Sequence, residues 1–437
     1  METPDWGIRP VPDRLRALGA LDMVVLWGNL GVSLLVLVLG ALLVPALSLP
    51  QAVVAVLVGG LIGNLMLAAA GAIGADGRVP TMVLLRAPLG RIGSYGATAL
   101  NAAQCLGWAM FELVIIGTAA AATAPNASVH AHRTSNPNAA PDRAAALALL
   151  GPVSVVRRIL RKYAIWIVLA SLAYLTWWAL DEAPLRELWA APGAGGLSTW
   201  TGIDLVVALT VSWIPLVADY TRFARDRRSA FLGTGIGYFL AATWMFGLGV
   251  LLVLAKGLDD AASLPAAVAA AGLASALALL AVTVDEVDEA FANVYSTAVS
   301  LQNVVERVPQ RALIAGVAAV ATAGALVLDL AAYEPFLLLL GSFFVPLFGV
   351  LLAHWASRGA RYSEEDVFGA PSLRPAHVGA WIAGFATYQW LHPLGPEWWT
   401  GLVAHAHPHD LGIGSTLPSF AVAFAVAAVA SRSGRRT

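Results

Sequence analysis

The chain has 437 residues, of which 59% are hydrophobic and 12% charged, and its formal net charge is −1. Soluble domains carry about 25% charged residues, so this composition excludes a soluble globular protein. The balanced charge gives no reason to expect binding to nucleic acid. The single cysteine, Cys105, excludes an intramolecular disulfide framework.

Twelve apolar segments are predicted to cross a lipid bilayer, since about 20 apolar residues span its hydrocarbon core. In chain order the predicted spans lie near 21–48, 52–75, 95–124, 143–157, 163–181, 202–221, 231–255, 270–300, 311–331, 333–355, 376–391 and 412–431. If both termini are cytoplasmic, all but four of the basic residues fall in cytoplasmic segments. This positive-inside distribution predicts an inner (plasma) membrane protein with cytoplasmic termini.

The first and sixth spans carry residues that interrupt helices. The first contains Gly28, Asn29 and Gly31 within an apolar run, and the sixth contains Pro215, which removes a backbone hydrogen bond. Interrupted helices at corresponding positions of two halves are typical of secondary transporters built from inverted repeats.

This pattern predicts one transmembrane transporter domain over residues 1–437. Its expected parts are a cytoplasmic tail (1–20), a first repeat (21–181), a second repeat (202–355) and two extra helices (376–431).

The third span places polar and aromatic side chains on one helical face. Gln104, Trp108 and Glu112 follow one another at intervals of four residues, and Asn101 precedes them by one turn. An amide can pair with the edge of a flat heterocycle, and an indole can stack on its face. Ordinary polar contact between membrane helices is the alternative interpretation.

The eighth span contains the acids Asp285, Glu286, Asp288 and Glu289. At 100° per residue, Asp285 and Glu289 share an arc of about 80° with Asn293 and two serines, which predicts one polar face. Carboxyl groups so close together cannot all be ionised in a low dielectric, so they would carry protons or share a cation. In the alternative interpretation the span is 265–283 and the acids lie in water at its end.

Five segments together resemble the cytosine/purine/uracil/thiamine/allantoin permease family of nucleobase–cation symporters, most closely its cytosine or hydroxymethylpyrimidine branch. In chain order they are WGNLG, RVPTMVLLRAPLG, NAAQCLGW, SWIPLVADYTRF and DEAFANVYSTAVSLQN. The resemblance implies an all-α membrane protein of twelve transmembrane helices. Helices 1–5 and 6–10 would form a five-helix inverted repeat with broken helices 1 and 6, followed by two C-terminal helices.

The resemblance also implies the positions of two sites. Gln104, Trp108, Trp213 and Asn293 match the family's substrate contacts. The family's sodium site falls near residues 284–288. There we expect Asp288 and Asp285 to bind a cation with Gly28 and Asn29 of the broken first span. Family members usually offer hydroxyls and carbonyls in this zone, so the carboxylates of this chain leave both sodium and proton coupling open.

These observations predict a secondary active importer of a nucleobase-like heterocycle, coupled to a cation by alternating access. We expect a monomer whose partners are the heterocycle, the coupling cation and the lipid bilayer, with no cofactor and no metal other than sodium. One alternative is a transporter of the same fold for an amino acid or small organic cation. The other is an intramembrane enzyme that uses Asp285 and Asp288 as an acid pair or as metal ligands.

Overall fold

The computed structural model describes residues 7–123, 165–258, 261–406 and 413–433, and this part of the chain is built from helices. The helices that form its body are α1 (Ala20–Asn29), α2 (Leu34–Leu42), α3 (Leu49–Gly77), α4 (Gly93–Thr123), α5 (Ile165–Glu182), α6 (Thr199–Val211), α7 (Val217–Thr221), α8 (Arg227–Lys256), α9 (Leu273–Leu301), α10 (Gln310–Ala325), α11 (Tyr333–Ser357), α12 (Pro375–Leu391) and α13 (Thr416–Ser433). Short helical turns between them are Asp13–Leu15, Thr81–Leu84, Arg86–Leu89, Leu185–Ala190, Ile214–Leu216, Ala261–Ser263, Leu264–Ala270, Leu330–Ala332, Glu364–Phe368 and Glu397–Ala404.

These helices coincide with every predicted span except the fourth, 143–157, which lies outside the described residues. Helices α1 and α2 together form the first span, and α6 and α7 form the sixth. In the described part of the chain, five helical segments are long and apolar enough to cross a membrane, one of them being α6 and α7 together, and the bent pair α1–α2 makes a sixth. The eighth span, α9, departs from a simple apolar helix because four acids interrupt its sequence.

The first span is broken as predicted, and α2 is bent by 62° from α1. Ser33 begins the second half, because its hydroxyl oxygen accepts a hydrogen bond from the backbone N–H of Leu35 (3.1 Å). Gly31 lets the break lie close to α8: a Cβ atom there would come within 2.9 Å of the Cβ of Ala241.

The sixth span is also broken as predicted. Helix α6 ends at Val211, a 3-10 turn over Ile214–Leu216 contains Pro215, and α7 resumes at Val217. The missing N–H of proline explains why the α-helical hydrogen bonds stop here.

Packing brings the two breaks together. Helices α1 and α2 pack along α8, α3 packs along α6 and α8, and α4 packs along α9. The indole rings of Trp27 and Trp213, one from each broken span, lie 5.8 Å apart in an edge-to-face contact. The polar faces of α4 and α9 are therefore buried beside the two breaks, where the backbone is not α-helical.

The two C-terminal helices pack on each other and on α11. Helix α13 is also joined to α6, because the buried carboxylate of Asp204 accepts hydrogen bonds from the backbone N–H groups of Ser415 (2.5 Å) and Thr416 (3.4 Å). This contact provides a carboxylate for otherwise unpaired N–H groups at a helix N-terminus.

Candidate functional site

A narrow cavity lies between both broken spans, α4, α8 and α9. About 10 Å³ of it is open to the centre of a water molecule, which is room for roughly one water. A flat ring can therefore occupy it only when side chains move apart. Its lining combines aromatic, apolar and acidic side chains from all these elements: Ser33, Leu35, Val36, Trp108, Glu112, Leu209, Ser212, Trp213, Leu216, Tyr238, Glu289 and Asn293.

The two predicted stacking residues reach this cavity from different helices. Trp108 comes from α4, is 6% exposed, and lies edge-to-face with Tyr333 at 5.7 Å. Trp213 comes from the break between α6 and α7, and its Nε1 donates to the hydroxyl of Tyr238 (2.8 Å). The indole N–H of Trp108 has no hydrogen-bond partner in the part of the chain that the structure describes.

Asn293, predicted to bind the substrate edge, also lines the cavity but already has protein partners. Its Nδ2 donates to Glu112 Oε1 (2.7 Å) and to the carbonyl of Glu289 (3.2 Å). The second oxygen of Glu112 is buried and, among the described residues, has no partner. Asn293 and Glu112 therefore act as one polar unit that joins α9 to α4.

Gln104 is held at the break in the sixth span. Its Nε2 donates to the side chain of Asn101 (2.8 Å) and to the carbonyl of Ser212 (2.9 Å). Both hydrogens of the amide are thus used within the protein. Its Oε1 is left as a buried acceptor for which the described residues offer no partner.

The acids of α9 lie inside the protein rather than in water. Glu286 is 0% exposed, and Asp285 and Glu289 are each 5% exposed. The alternative that placed this run in water at a helix end is therefore wrong for these three acids. Asp288 is partly exposed.

Glu286 binds the beginning of α2. Its carboxylate accepts from the hydroxyl of Ser33 (2.9 Å) and from the backbone N–H of Leu34 (2.7 Å). The first N–H groups of a helix have no partner within it and carry a partial positive charge, so a carboxylate is stabilised there.

The predicted cation residues are only partly brought together. Asn29 Nδ2 donates to Asp288 Oδ2 (3.0 Å), which links the end of α1 to α9. Asp285 Oδ2 is buried without a partner in the described ranges. Gly28 instead faces α8, where a Cβ would lie 3.6 Å from the carbonyl of Gly237. Within the described ranges no three His, Cys, Asp or Glu side chains are grouped so as to hold a metal ion.

Sequence reasoning missed several residues of the site. Glu286 is one of the four acids of the eighth span, and the sequence predicts no role for it; the break in the first span brings Ser33 to its carboxylate. Tyr238 lies in a long apolar helix with no signal in the sequence. It lines the cavity because α8 packs along α1 and α2, and its hydroxyl accepts a hydrogen bond from Trp213 at the second break. Ser212 stands next to Trp213 and could have been identified from the proline three residues later.

Two broken spans around a buried polar cavity, within a multi-pass helical membrane protein, define the class: a membrane transporter and not an enzyme. The chain belongs to the family of permeases for cytosine/purines, uracil, thiamine and allantoin, whose model matches residues 10–387. A search of curated proteins finds no significant match.

Solved structures show the same fold. The chain is similar to Mhp1, a nucleobase-cation-symport-1 family transporter, in a closed conformation with bromovinylhydantoin bound (TM-score 0.79, 17% identity, covering 98% of this chain and 95% of that one). Similarity to inward-facing Mhp1 is lower (TM-score 0.74, 16% identity, 98% and 93% covered). A mutant manganese transporter of Eremococcus coleocola is also similar (TM-score 0.60, 12% identity, 97% of each chain). At these identities the likeness concerns the fold.

Proposed function

We propose that the protein imports a flat, nucleobase-like heterocycle, such as cytosine, hydroxymethylpyrimidine or a related ring, together with a cation. The observation that carries this proposal is the cavity in which Trp108, Trp213 and Asn293 meet between the two broken spans. Two indoles offer faces for stacking, and the Asn293–Glu112 unit offers polar atoms to a ring edge.

Gln104 has a supporting role in this proposal. Its amide hydrogens hold the break of the sixth span next to α4, so it fixes the position of Trp213. Its remaining Oε1 is an acceptor for a donor of the ring once the cavity opens.

For the coupling cation we propose the zone between α1 and α9. Asp288 is hydrogen-bonded to Asn29, and Asp285 stands one turn earlier on α9 with a buried, unpartnered oxygen. A carboxylate in this position can bind sodium or carry a proton, and Gly28 would contribute backbone at the break. Binding of both ligands would favour closure on the outer side, and the change of access would then expose them to the cytoplasm.

The same proposal covers organisation and location. We place the protein in the plasma membrane as a monomer with both termini cytoplasmic, with repeats at 21–181 and 202–355 and two extra helices at 376–431. A green fluorescent protein fused to the C-terminus would fluoresce, whereas a C-terminal alkaline phosphatase would be inactive. The opposite pattern would overturn this orientation.

Uptake into proteoliposomes tests the function. Labelled cytosine, hydroxymethylpyrimidine, uracil and allantoin are offered under imposed sodium or proton gradients, and one gradient is expected to drive accumulation. Asp288→Asn should abolish that dependence, while Asp181→Asn, at an exposed position in α5, serves as a matched control. Accumulation that is indifferent to both gradients would rule out coupling.

A small organic cation without a ring is a second candidate, because the cavity contains carboxyl oxygens without partners in the described structure. Choline in the same uptake panel separates the two. Uptake of choline but of none of the heterocycles would replace the first proposal.

A further inference from the structure

A second pocket lies apart from the central cavity, where α3 ends and α8 begins. Its volume is about 790 Å³, within the roughly 300–1,000 Å³ that is usual for ligand pockets. Its lining comes mainly from the end of α3, the beginning of α8 and the segment that follows α11. It holds three acids and four arginines: Arg78, Arg227, Arg228 and Arg361. We call it the basic pocket.

Two of the three acids are already used by the fold. Asp76, at the end of α3, accepts hydrogen bonds from Nε of Arg227 (2.9 Å) and from the backbone N–H of Tyr362 (2.8 Å). Asp226 caps the first turn of α8. The third acid, Glu364, is exposed at the start of its short helix, so it alone is left to balance the remaining arginines.

The arginines present more donors than these acids accept. Arg78 is paired with Asp13 (3.1 Å). Arg227 uses Nε and Nη2 for its bond to the end of α3, which leaves its Nη1 without a partner in the described ranges. Arg228 and Arg361 are exposed, and neither forms an ion pair with another described residue. Three guanidinium groups thus keep N–H donors for a ligand, and guanidinium matches the oxygens of a phosphate group.

The basic pocket lies at the level of the lipid headgroups. Helix α8 has 30 residues and is therefore about 45 Å long, which equals the thickness of a bilayer with its headgroup layers. Arg228 is the second residue of this helix. Its guanidinium is therefore placed where the phosphates of one leaflet lie.

An exposed apolar strip leads from the basic pocket toward the middle of the membrane. The face of α8 that begins at Arg228 continues with exposed apolar side chains: Phe231, Ile236 and Leu240. Leu240 stands about 18 Å from Arg228 along the helix axis, close to half of the ~30 Å hydrocarbon core. The strip therefore has the length of one acyl chain layer.

Helix α3 forms the other side of this strip. Leu65 of α3 is exposed, and α3 approaches α8 closely, because a Cβ atom on Gly235 would lie 3.0 Å from the Cβ of Ala68. Both helices end at the basic pocket. They therefore form a shallow apolar groove with three partly unpaired arginines at its end.

We propose that the basic pocket and this groove together bind one anionic phospholipid. Its phosphate accepts hydrogen bonds from Arg228, Arg361 and Nη1 of Arg227, and an acyl chain lies along the groove. A soluble phosphate would use the arginines and leave the groove empty, whereas a lipid uses both. The face concerned is cytoplasmic in the orientation proposed above, where anionic headgroups attract basic residues. The inference does not depend on which substrate is transported.

Native mass spectrometry of the full chain in detergent tests the inference by measuring the dissociation constant of the first bound lipid. The probes are dioleoyl phosphatidylglycerol, dioleoyl phosphatidylcholine, glycerophosphoglycerol as the headgroup without chains, and inorganic phosphate. Phosphatidylglycerol should bind about tenfold tighter than phosphatidylcholine or more, since each arginine near an anionic headgroup strengthens binding about fivefold. Glycerophosphoglycerol and phosphate should not displace it at equal concentration.

A double variant, Arg228→Gln with Arg361→Gln, should reduce this lipid preference to about twofold or less. The matched control is Arg91→Gln with Arg307→Gln, which removes two exposed arginines outside the basic pocket and should keep the preference of the parent. All four positions are exposed, so the unfolding midpoint without added lipid should be the same in both variants.

Equal binding of the two lipids by the parent, or an equal preference in the two double variants, would overturn the inference. Displacement of the lipid by phosphate or by glycerophosphoglycerol at equal concentration would also overturn it, because the basic pocket would then be a site for soluble phosphates. Heterocycle import stands or falls separately, by the uptake measurements.

Discussion

The two ends of one polar stripe on α9 differ in how their polar atoms are paired. Near the cavity, Asp285 and Glu289 each have a buried oxygen for which the described structure offers no partner. At the other end, Ser300 accepts from Asn101 (2.8 Å), and Asn303 just beyond α9 bonds to three side chains. Buried polar groups are normally paired. The paired end is therefore structural, and the unpaired end is where a ligand is expected.

The paired end joins the segment between α3 and α4 to α9. Arg86 donates from Nε to the side chain of Asn303 (2.7 Å) and from Nη2 to its carbonyl (2.9 Å), and it forms an ion pair with Glu306 (2.8 Å). Asn303 also donates to Ser94 (3.0 Å) and Thr98 (2.9 Å). The same connecting segment binds α7, because Thr81 N–H donates to Asp219 (3.0 Å).

The largest effect on stability is expected from Arg86→Ala at the paired end. Arg86 is 4% exposed, and its removal leaves Asn303 with buried groups unpaired, which costs about 3 kcal/mol. The protein in detergent is heated to a series of temperatures, and size-exclusion chromatography measures the fraction that stays folded. The loss of stability should appear as a lower midpoint temperature. Arg91→Ala, an exposed arginine of the same segment, is the matched control. An equal midpoint for the two variants would contradict a structural role for the paired end of the stripe.

The next largest effect concerns the unpaired end and is measured as affinity. Trp108→Ala and Asn293→Ala should each weaken binding of the preferred heterocycle about 10- to 100-fold, since stacking of a base on an aromatic ring contributes roughly 1–3 kcal/mol and a buried hydrogen bond a similar amount.

Isothermal titration on the folded, monodisperse fraction measures these affinities. Trp398→Ala, which removes a 71% exposed indole, is the control and should bind like the parent. Unchanged affinity in both cavity variants would show that the substrate binds elsewhere.

A third prediction compares the signs of two stability changes. Glu289→Gln removes an acid that folding buries without a donor in the described structure, so the unfolding midpoint should stay equal or rise. Asn303→Ala removes a fully paired side chain, which should reduce the free energy of unfolding by about 1–3 kcal/mol and so lower the midpoint. Unfolding scans of both variants beside the parent check the contrast. A fall of similar size for Glu289→Gln would mean that both ends are structural.

The smallest effect is expected outside the membrane, at the N-terminus of α8. Asp226 accepts from the backbone N–H of Ser229 (2.7 Å), and this hydrogen bond lowers the pKa of the carboxyl. Asp226→Ala should cost about 1 kcal/mol, whereas Asp226→Asn keeps a capping oxygen and should cost less.

The pH dependence of this cap follows from the direction of the shift. Because the pKa of Asp226 is lower in the folded than in the unfolded state, the cap stabilises the fold fully at pH values above the ordinary Asp pKa of about 3.9. This stabilisation is lost as the pH falls through the folded-state pKa. The difference in free energy of unfolding between the parent and Asp226→Ala should therefore be constant from pH 7 to 5 and shrink below about pH 4. A difference that shrinks already between pH 7 and 5 would contradict the assignment.

Much of the fold could be predicted from the chain because its signals are local. The length of the apolar segments and the distribution of arginines predict the spans. Gly28–Gly31 and Pro215 predict the two breaks, since these residues act on the backbone of their own segments. The family resemblance placed Trp108, Trp213 and Asn293, and the structure brings these three side chains to one cavity. Their role in binding stays a prediction.

The sequence by itself determined that α9 carries a polar stripe, because a helix has a fixed period and the acids recur at its spacing. Only the tertiary structure decided what each acid does, because partners come from residues distant in the chain. Glu286 bonds to the start of α2, Glu112 is joined to Asn293, and Glu289 keeps a buried oxygen free of donors within the described structure. Hydrogen bonding depends on distance and direction in space, which the spacing of residues along one helix does not specify.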